Sequence, residues 1–272
     1  MSDAIPIRIA SDCALYVAKV GVTGSSPASR SGYYTQPPEA RTRHVGWLWL
    51  PFCIPPSGTL AGRRRQAIEG GPGVADLSSS MAGAQLFRRA LEQATALVGG
   101  VRPSQFGLAT PCTEWDVRTL ASHMLYELSW VPDLTLGATI AEVGDRYDGD
   151  LIGDDLVVSW RRAADAALIA VDRCDPVAIA HLSYADVSND AYLRQVGGDE
   201  LIHSWDLGAA TGALVRFDPE LAEAAYENTL PDVKGMQASG LFAPPVPVPE
   251  NADPQTRLVA LFGRDPGWQP PH

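Results

Sequence analysis

Lysine is almost absent from this chain: of 272 residues only Lys19 and Lys234 are lysines, against 19 arginines. That bias reads as genome composition and not as function. Positive charge is scarce overall, with 21 basic against 32 acidic residues and a formal net charge of −11. Nucleic acids and anionic membranes need a basic face, so neither is an expected partner. Long hydrophobic runs are also missing. The nearest, Val45 to Ile54, is broken by Pro51 and falls short of the roughly 18 apolar residues of a membrane span. It lies too far into the chain for an ordinary signal peptide. Cys13, Cys53, Cys112 and Cys174 show no CxxC spacing. They suggest no disulfide framework, and the expected compartment is a reducing cytoplasm. There is no P-loop, no GxGxxG after a strand, no GxSxG and no HExxH.

What is present divides into two unequal parts. Residues 1–80 carry 8 basic and 5 acidic side chains, net +3; residues 81–272 carry 13 and 27, net −14. The first part is rich in Ser, Pro and Gly and keeps no period of 3.6 or 2. Such a segment buries too little apolar surface to offset the entropy of ordering it. Residues 1–75 are therefore expected to form a disordered or non-native tail, with Met81 a candidate start just before the first strong helix. A small hairpin around Trp47–Phe52 is the competing reading. Residues 76–268 are expected to form the folded domain.

From Ser80 onward the pattern is helical. Leu86, Ala90, Ala94 and Val98 form the stripe of a first helix. A second begins in "TPCTEWDVRTLASHM", with Thr113 as the expected N-cap and Asp116 completing a capping-box-like start. Its stripe is Val117, Leu120, Met124 and Leu128, and Pro132 is expected to end it. A third helix is predicted from about Asp155 to Val171, with Leu156, Trp160, Ala164 and Leu168 inward. "CDPVAIAHLSYADVS" reads as extended or loop. A fourth helix runs from about Asn189 to Ala210 and stops at Gly212. Shorter helices follow at about Pro219–Thr229 and in "QTRLVALFG". Four long amphipathic helices joined by loops give an all-α helical bundle.

The chemistry-bearing residues sit on two of these helices. Asp199 and His203, spaced i, i+4, share one helical face with Cβ atoms about 5–6 Å apart. A carboxylate and an imidazole one turn apart can hold two corners of a metal site. His123, beside the stripe of the second helix, is the best candidate for a third ligand from a facing helix. Glu200, at i, i+3 from His203, is an alternative to Asp199. Asp206 extends the same row and can serve structurally by holding an Arg or an indole N–H. Glu127, four residues after His123, is a supporting or solvent carboxylate. The competing reading makes all of these an ordinary polar network. His44 and His181 read as loop histidines. Cys112 reads either as a small buried residue or as a thiol activated by a helix N-terminus.

These residues resemble the DinB-like superfamily, and within it the mycothiol-dependent maleylpyruvate isomerase N-terminal-domain group. "TPCTEWDVRTLASHM" looks like that group's TPCxxWxVxxLxxH element, and "IHSWDLGAATG" like its HxWDLAxATG element. "RLVALFGRDPGW", Arg257 to Trp268, is similar to the GRDPxW ending of an actinobacterial subfamily. The resemblance covers about residues 81–268. It implies an up-down-down-up four-helix bundle with short C-terminal helices. It also implies a divalent metal, zinc or nickel, held by one histidine of the second helix and an acid-x-x-x-His pair. Carried over, these are His123, Asp199 and His203, with Asp where the isomerases usually have Glu; the shorter reach keeps Glu200 open. In the isomerases a sterol-carrier-like C-terminal domain adds to the active site, and only about 60 residues follow Gly212 here. The implied activity is a metal-dependent transfer of a low-molecular-weight thiol of the mycothiol type to an electrophilic substrate. The alternative is a non-catalytic metal-binding or dimerisation module, as in a homodimer.

Overall fold

The computed structural model describes residues 81–239 and 242–271. The expected tail (1–75) and the hairpin reading at Trp47–Phe52 lie outside the described residues. Helix α1 is Gly83–Val98, α2 Val117–Thr135, α3 Ile140–Val143 and α4 Leu156–Arg173. Strands β1 (Ile179–His181) and β2 (Asp186–Ser188) follow, then α5 (Asn189–Thr211), α6 (Pro219–Thr229), α7 (Val233–Ser239) and α8 (Pro254–Leu261). Among the described residues the protein is all-α apart from this antiparallel hairpin, which pairs Ala180 with Val187. The segment expected to be extended or loop-like thus forms a two-stranded unit leading directly into α5.

The four long helices close on one another: α1 packs on α5 and α4, and α2 on α4 and α5. The predicted stripes point inward. Leu86, Ala90, Ala94 and Val98 of α1, and Val117, Leu120, Met124 and Leu128 of α2, are fully buried. In α4, Leu156, Trp160 and Ala164 are buried, while Leu168 is half-buried at the edge of the core. The Trp160 indole donates to Thr95 Oγ1 at 2.9 Å, which pairs its one polar atom across the helix interface. Where α1 and α5 cross, a Cβ on Gly197 would lie 2.9 Å from the Phe87 Cα. The glycine permits that close approach.

Helix α5 departs from an amphipathic pattern. Every residue from Val196 to Gly208 is buried. One side faces the bundle core, while Leu201, Ile202 and Trp205 face a second apolar cluster with Val215, Phe217, Leu221, Leu258 and Phe262. A helix buried on all sides needs cover on its outer face, and the C-terminal helices α6 and α8 supply it.

Two boundaries differ from expectation. The N-cap of α2 is Asp116, whose Oδ1 accepts from Thr119 N–H at 2.8 Å, not Thr113. The residues before it form their own turn, in which the Trp115 N–H donates to the Cys112 carbonyl at 2.8 Å. Second, α2 continues through Pro132 to Thr135. Proline removes one helical bond to the preceding turn, but Trp130, Val131 and Leu134 around it are buried, and that burial outweighs the loss. The far end is tied down by Asn189, whose Nδ2 donates to the Thr135 and Asp175 carbonyls at 3.0 Å each. The ends of α5 and α6 fall where the sequence places them, with Gly212 as the left-handed C-cap of α5.

Among the described residues no helix is long and apolar enough to cross a membrane.

Candidate metal centre

Helix α2 carries His123 and helix α5 carries Asp199 and His203, and the packing of α2 on α5 brings the three together. His123 Nε2 is 3.2 Å from Asp199 Oδ2, and His203 Nε2 is 3.5 Å from Asp199 Oδ1. One ligand atom from each lies within 4.8 Å of the others. Their side chains are 11%, 10% and 6% exposed, so water has restricted access. The two imidazole rings stand nearly perpendicular, with centroids 4.8 Å apart. Trp115, from the turn before α2, covers both, 4.8 Å from His123 and 5.7 Å from His203. That turn is held by Thr110, whose Oγ1 donates to the Trp115 carbonyl at 2.8 Å and accepts from Cys112 N–H at 3.1 Å.

A second layer sits behind His203. Its Nδ1 is 2.9 Å from Asp206 Oδ2. Asp206 is fully buried and accepts from Arg264, with Nη2 at 3.0 Å and Nε at 3.3 Å. The Cys112 thiol donates to the same Asp206 Oδ2 at 3.2 Å, and its Sγ accepts from Arg264 Nη2, also at 3.2 Å. Arg264 follows α8 through Gly263, at φ +78, where a Cβ would lie 2.5 Å from the Ala243 carbonyl oxygen. Only glycine turns the chain there without strain. Arg264 Nη1 then donates back to the Phe262 carbonyl at 2.8 Å, which fixes the guanidinium.

The electrostatics follow from this arrangement. Burial opposes ionisation of Asp199, but the His203 charge and bonds from both imidazoles outweigh it and hold the carboxyl far below its usual range. Burial likewise works against protonated His203, yet Asp199 and Asp206 raise it well above an ordinary histidine. His123 is lowered, because burial outweighs its bond to Asp199. Asp206 is held at about 2: burial is overcome by the Arg264 charge and by His203. The polar group between α2 and α5 therefore favours a positive charge.

The other candidates fall differently. Glu200 is fully buried, and neither of its carboxyl oxygens has a hydrogen-bond partner. It belongs to neither converging donor group, and burial followed by the Asp199 charge pushes its carboxyl well above the usual range. Glu127 is buried in the same region and raised by burial and then by Asp199. His181 is on β1, with Nδ1 2.8 Å from Asp186 on the surface; His44 lies outside the described residues. Sequence reasoning did not place Cys112, Trp115 or Arg264 at this site. The TPC and GRDP elements that contain them were visible, but not their convergence, because Cys112 and Arg264 are 152 residues apart.

Donor chemistry fits a divalent ion. Two imidazoles and a carboxylate are ligand types of zinc and nickel, and the Nδ1 of His203 is held by a carboxylate, which directs Nε2 toward the inner group.

Comparison with known proteins supplies the relationship. Residues 87–208 match the family described as mycothiol maleylpyruvate isomerase N-terminal domain. An uncharacterized protein of Mycobacterium tuberculosis (strain CDC 1551 / Oshkosh) is 32% identical over 182 residues, 65% of this chain and 94% of that protein. An uncharacterized protein of strain ATCC 25618 / H37Rv matches with the same identity and coverage. No solved structure matches the chain. These matches, with the helical architecture, place the chain in the mycothiol maleylpyruvate isomerase N-terminal domain family.

Proposed function

We propose that this protein holds one divalent ion, zinc or nickel, on His123, Asp199 and His203, and uses it to transfer a low-molecular-weight thiol of the mycothiol type to an electrophilic substrate. The observation that carries this reading is the convergence of the three donors from two helices. Asp199, already ionised between two imidazoles, supplies the charged ligand without a proton to lose. On ligation His203 would release its Nε2 proton, while its Nδ1 keeps the proton it donates to Asp206, which holds the ring in one orientation. A divalent ion held by these residues would supply the Lewis acidity that lowers the pKa of a thiol substrate. Trp115 shields the imidazoles from bulk water and offers an aromatic wall to an incoming substrate.

The alternative, a closed metal-binding or dimerisation module, requires a further protein ligand. Of the two candidates for it, Asp206 is turned away toward Arg264 and the Nδ1 side of His203 and Glu127 belongs to neither converging donor group, which favours the open, catalytic reading. The four unpatterned cysteines are consistent with work in a reducing cytoplasm. The test is thiol consumption: protein loaded with zinc or nickel is mixed with mycothiol and an electrophilic reporter such as 1-chloro-2,4-dinitrobenzene. Turnover that is abolished by a chelator and by His203→Ala is expected. A loaded protein no faster than buffer with a panel of thiols and electrophiles contradicts the catalytic reading.

A further inference from the structure

Cys112, His203 and Asp206 form a second group whose ligand atoms all lie within 4.8 Å of one another. Its sides are 3.2 Å from Sγ to Oδ2, 3.9 Å from Sγ to Nδ1 and 2.9 Å from Nδ1 to Oδ2. A tetrahedral ion with bonds of about 2.0–2.3 Å spaces its ligands roughly 3.3–3.8 Å apart, so shifts of a few tenths of an ångström would seat one. The mixture of a thiol, an imidazole and a carboxylate suits a borderline-soft divalent ion. What already stands against this triangle is a cation: Arg264 Nη2, 3.0 Å from Asp206 Oδ2 and 3.2 Å from Cys112 Sγ. Its side chain is only 12% exposed, and Asp206 is fully buried.

We propose that Arg264 is a built-in cation that plugs a second metal-ligating set, Cys112–His203–Asp206, and that removing the guanidinium opens this set to a divalent metal. The plug has a consequence for the inner group. An ion on His203 Nδ1 would take the nitrogen whose proton Asp206 holds, so Arg264 preserves the ring orientation that leaves Nε2 facing Asp199. Because Arg264 belongs to the segment after α8, docking of that segment is what keeps the outer set closed. Ligation in its absence forms sulfur–, nitrogen– and oxygen–metal bonds and releases two protons to solvent, one from the Cys112 thiol and one from His203 Nδ1.

The experiment uses the full chain and cobalt(II) as probe, because a cysteine ligand produces a near-ultraviolet sulfur-to-cobalt charge-transfer band that histidine and carboxylate ligands do not. Wild-type protein and Arg264→Lys, which retains a cation, are expected to show no such band. Arg264→Ala is expected to show it, together with one more bound equivalent than wild type and a larger rise in Tm on adding cobalt. Adding Cys112→Ser should abolish the band. The sulfur signature reports the outer set alone, so it answers whether or not the inner group binds an ion. A folded Arg264→Ala without the band overturns the plug. So does an Arg264→Ala chain that stays unfolded with cobalt present, since the ion should replace the missing charge, and so does a band in wild-type protein.

Discussion

Asp206 Oδ2 lies 2.9 Å from His203 Nδ1 while Arg264 Nη2 lies 3.0 Å from the same oxygen. One buried carboxylate thus joins an imidazole of the candidate metal centre to the C-terminal segment. The carboxylate accepts, so His203 carries its proton on Nδ1 and presents Nε2 toward Asp199. Asp206→Asn weakens this hold on the ring, and the expected result is a metal affinity lower by about 10–100-fold. A competition titration with a coloured chelator measures it, with far-UV circular dichroism confirming the fold. Unchanged affinity would show that Asp206 does not orient the ligand.

Proton competition sets the pH dependence. Asp199 and Asp206 raise His203 above an ordinary histidine, against burial. Its Nε2 proton must leave when the ion binds, so affinity should increase with pH through 6.5 and continue to increase above it. Zinc titrations from about pH 6 to about pH 8.5 check this. An affinity that levels off by pH 6.5 would mean His203 is not raised.

The cap of α2 is a local test of the fold. Asp116 Oδ1 accepts from the Thr119 N–H and from the Thr119 hydroxyl. Asp116→Ala is expected to cost about 1 kcal/mol of stability, whereas Thr113→Ala, outside the helix, should change it little. Urea unfolding of the two variants decides, and the reverse order would restore Thr113 as the cap.

Glu200 gives a stability test with a definite sign. Burial and the Asp199 charge raise its carboxyl well above the usual range. The folded state keeps the proton at pH values where the unfolded state, titrating near 4.3, has lost it. This group's contribution is therefore favourable in acid and is lost as pH rises from about 4.5 toward the folded value. Without metal, Glu200→Gln should gain stability relative to wild type as pH rises toward 7, and the difference should shrink toward pH 4. Glu127, shifted in the same direction, keeps part of the decline in both proteins. A variant that loses stability at pH 7 would mean Glu200 is ionised and paired.

The sequence was most informative where structure is local. Periodicity located α1 and α4, because an inward stripe repeats every turn, and Gly212 marked the real end of α5. It located the three converging donors because two of them share a helical face and the third lies on a neighbouring stripe. It misplaced the start of α2 because Thr113 and Asp116 are both good caps, and the choice depends on the turn built by Thr110 and Cys112. It ended α2 at Pro132 because the burial of Val131 and Leu134, which outweighs the lost bond, is a tertiary quantity. Nor could local spacing show that α6 and α8 cover the outer side of α5, or that Arg264 reaches Cys112 and Asp206. Those contacts exist only once the C-terminal segment folds back.

The most direct test is the metal content of wild-type, His123→Ala and His203→Ala proteins after equilibration with zinc or nickel and removal of loosely bound ion. About one equivalent is expected in wild type and little in either variant, with helical content preserved in all three, because the buried stripes of α1, α2 and α4 form without the ion. Wild-type protein that retains no metal, or alanine variants that retain as much as wild type, would contradict the assignment of His123, Asp199 and His203 as a metal centre.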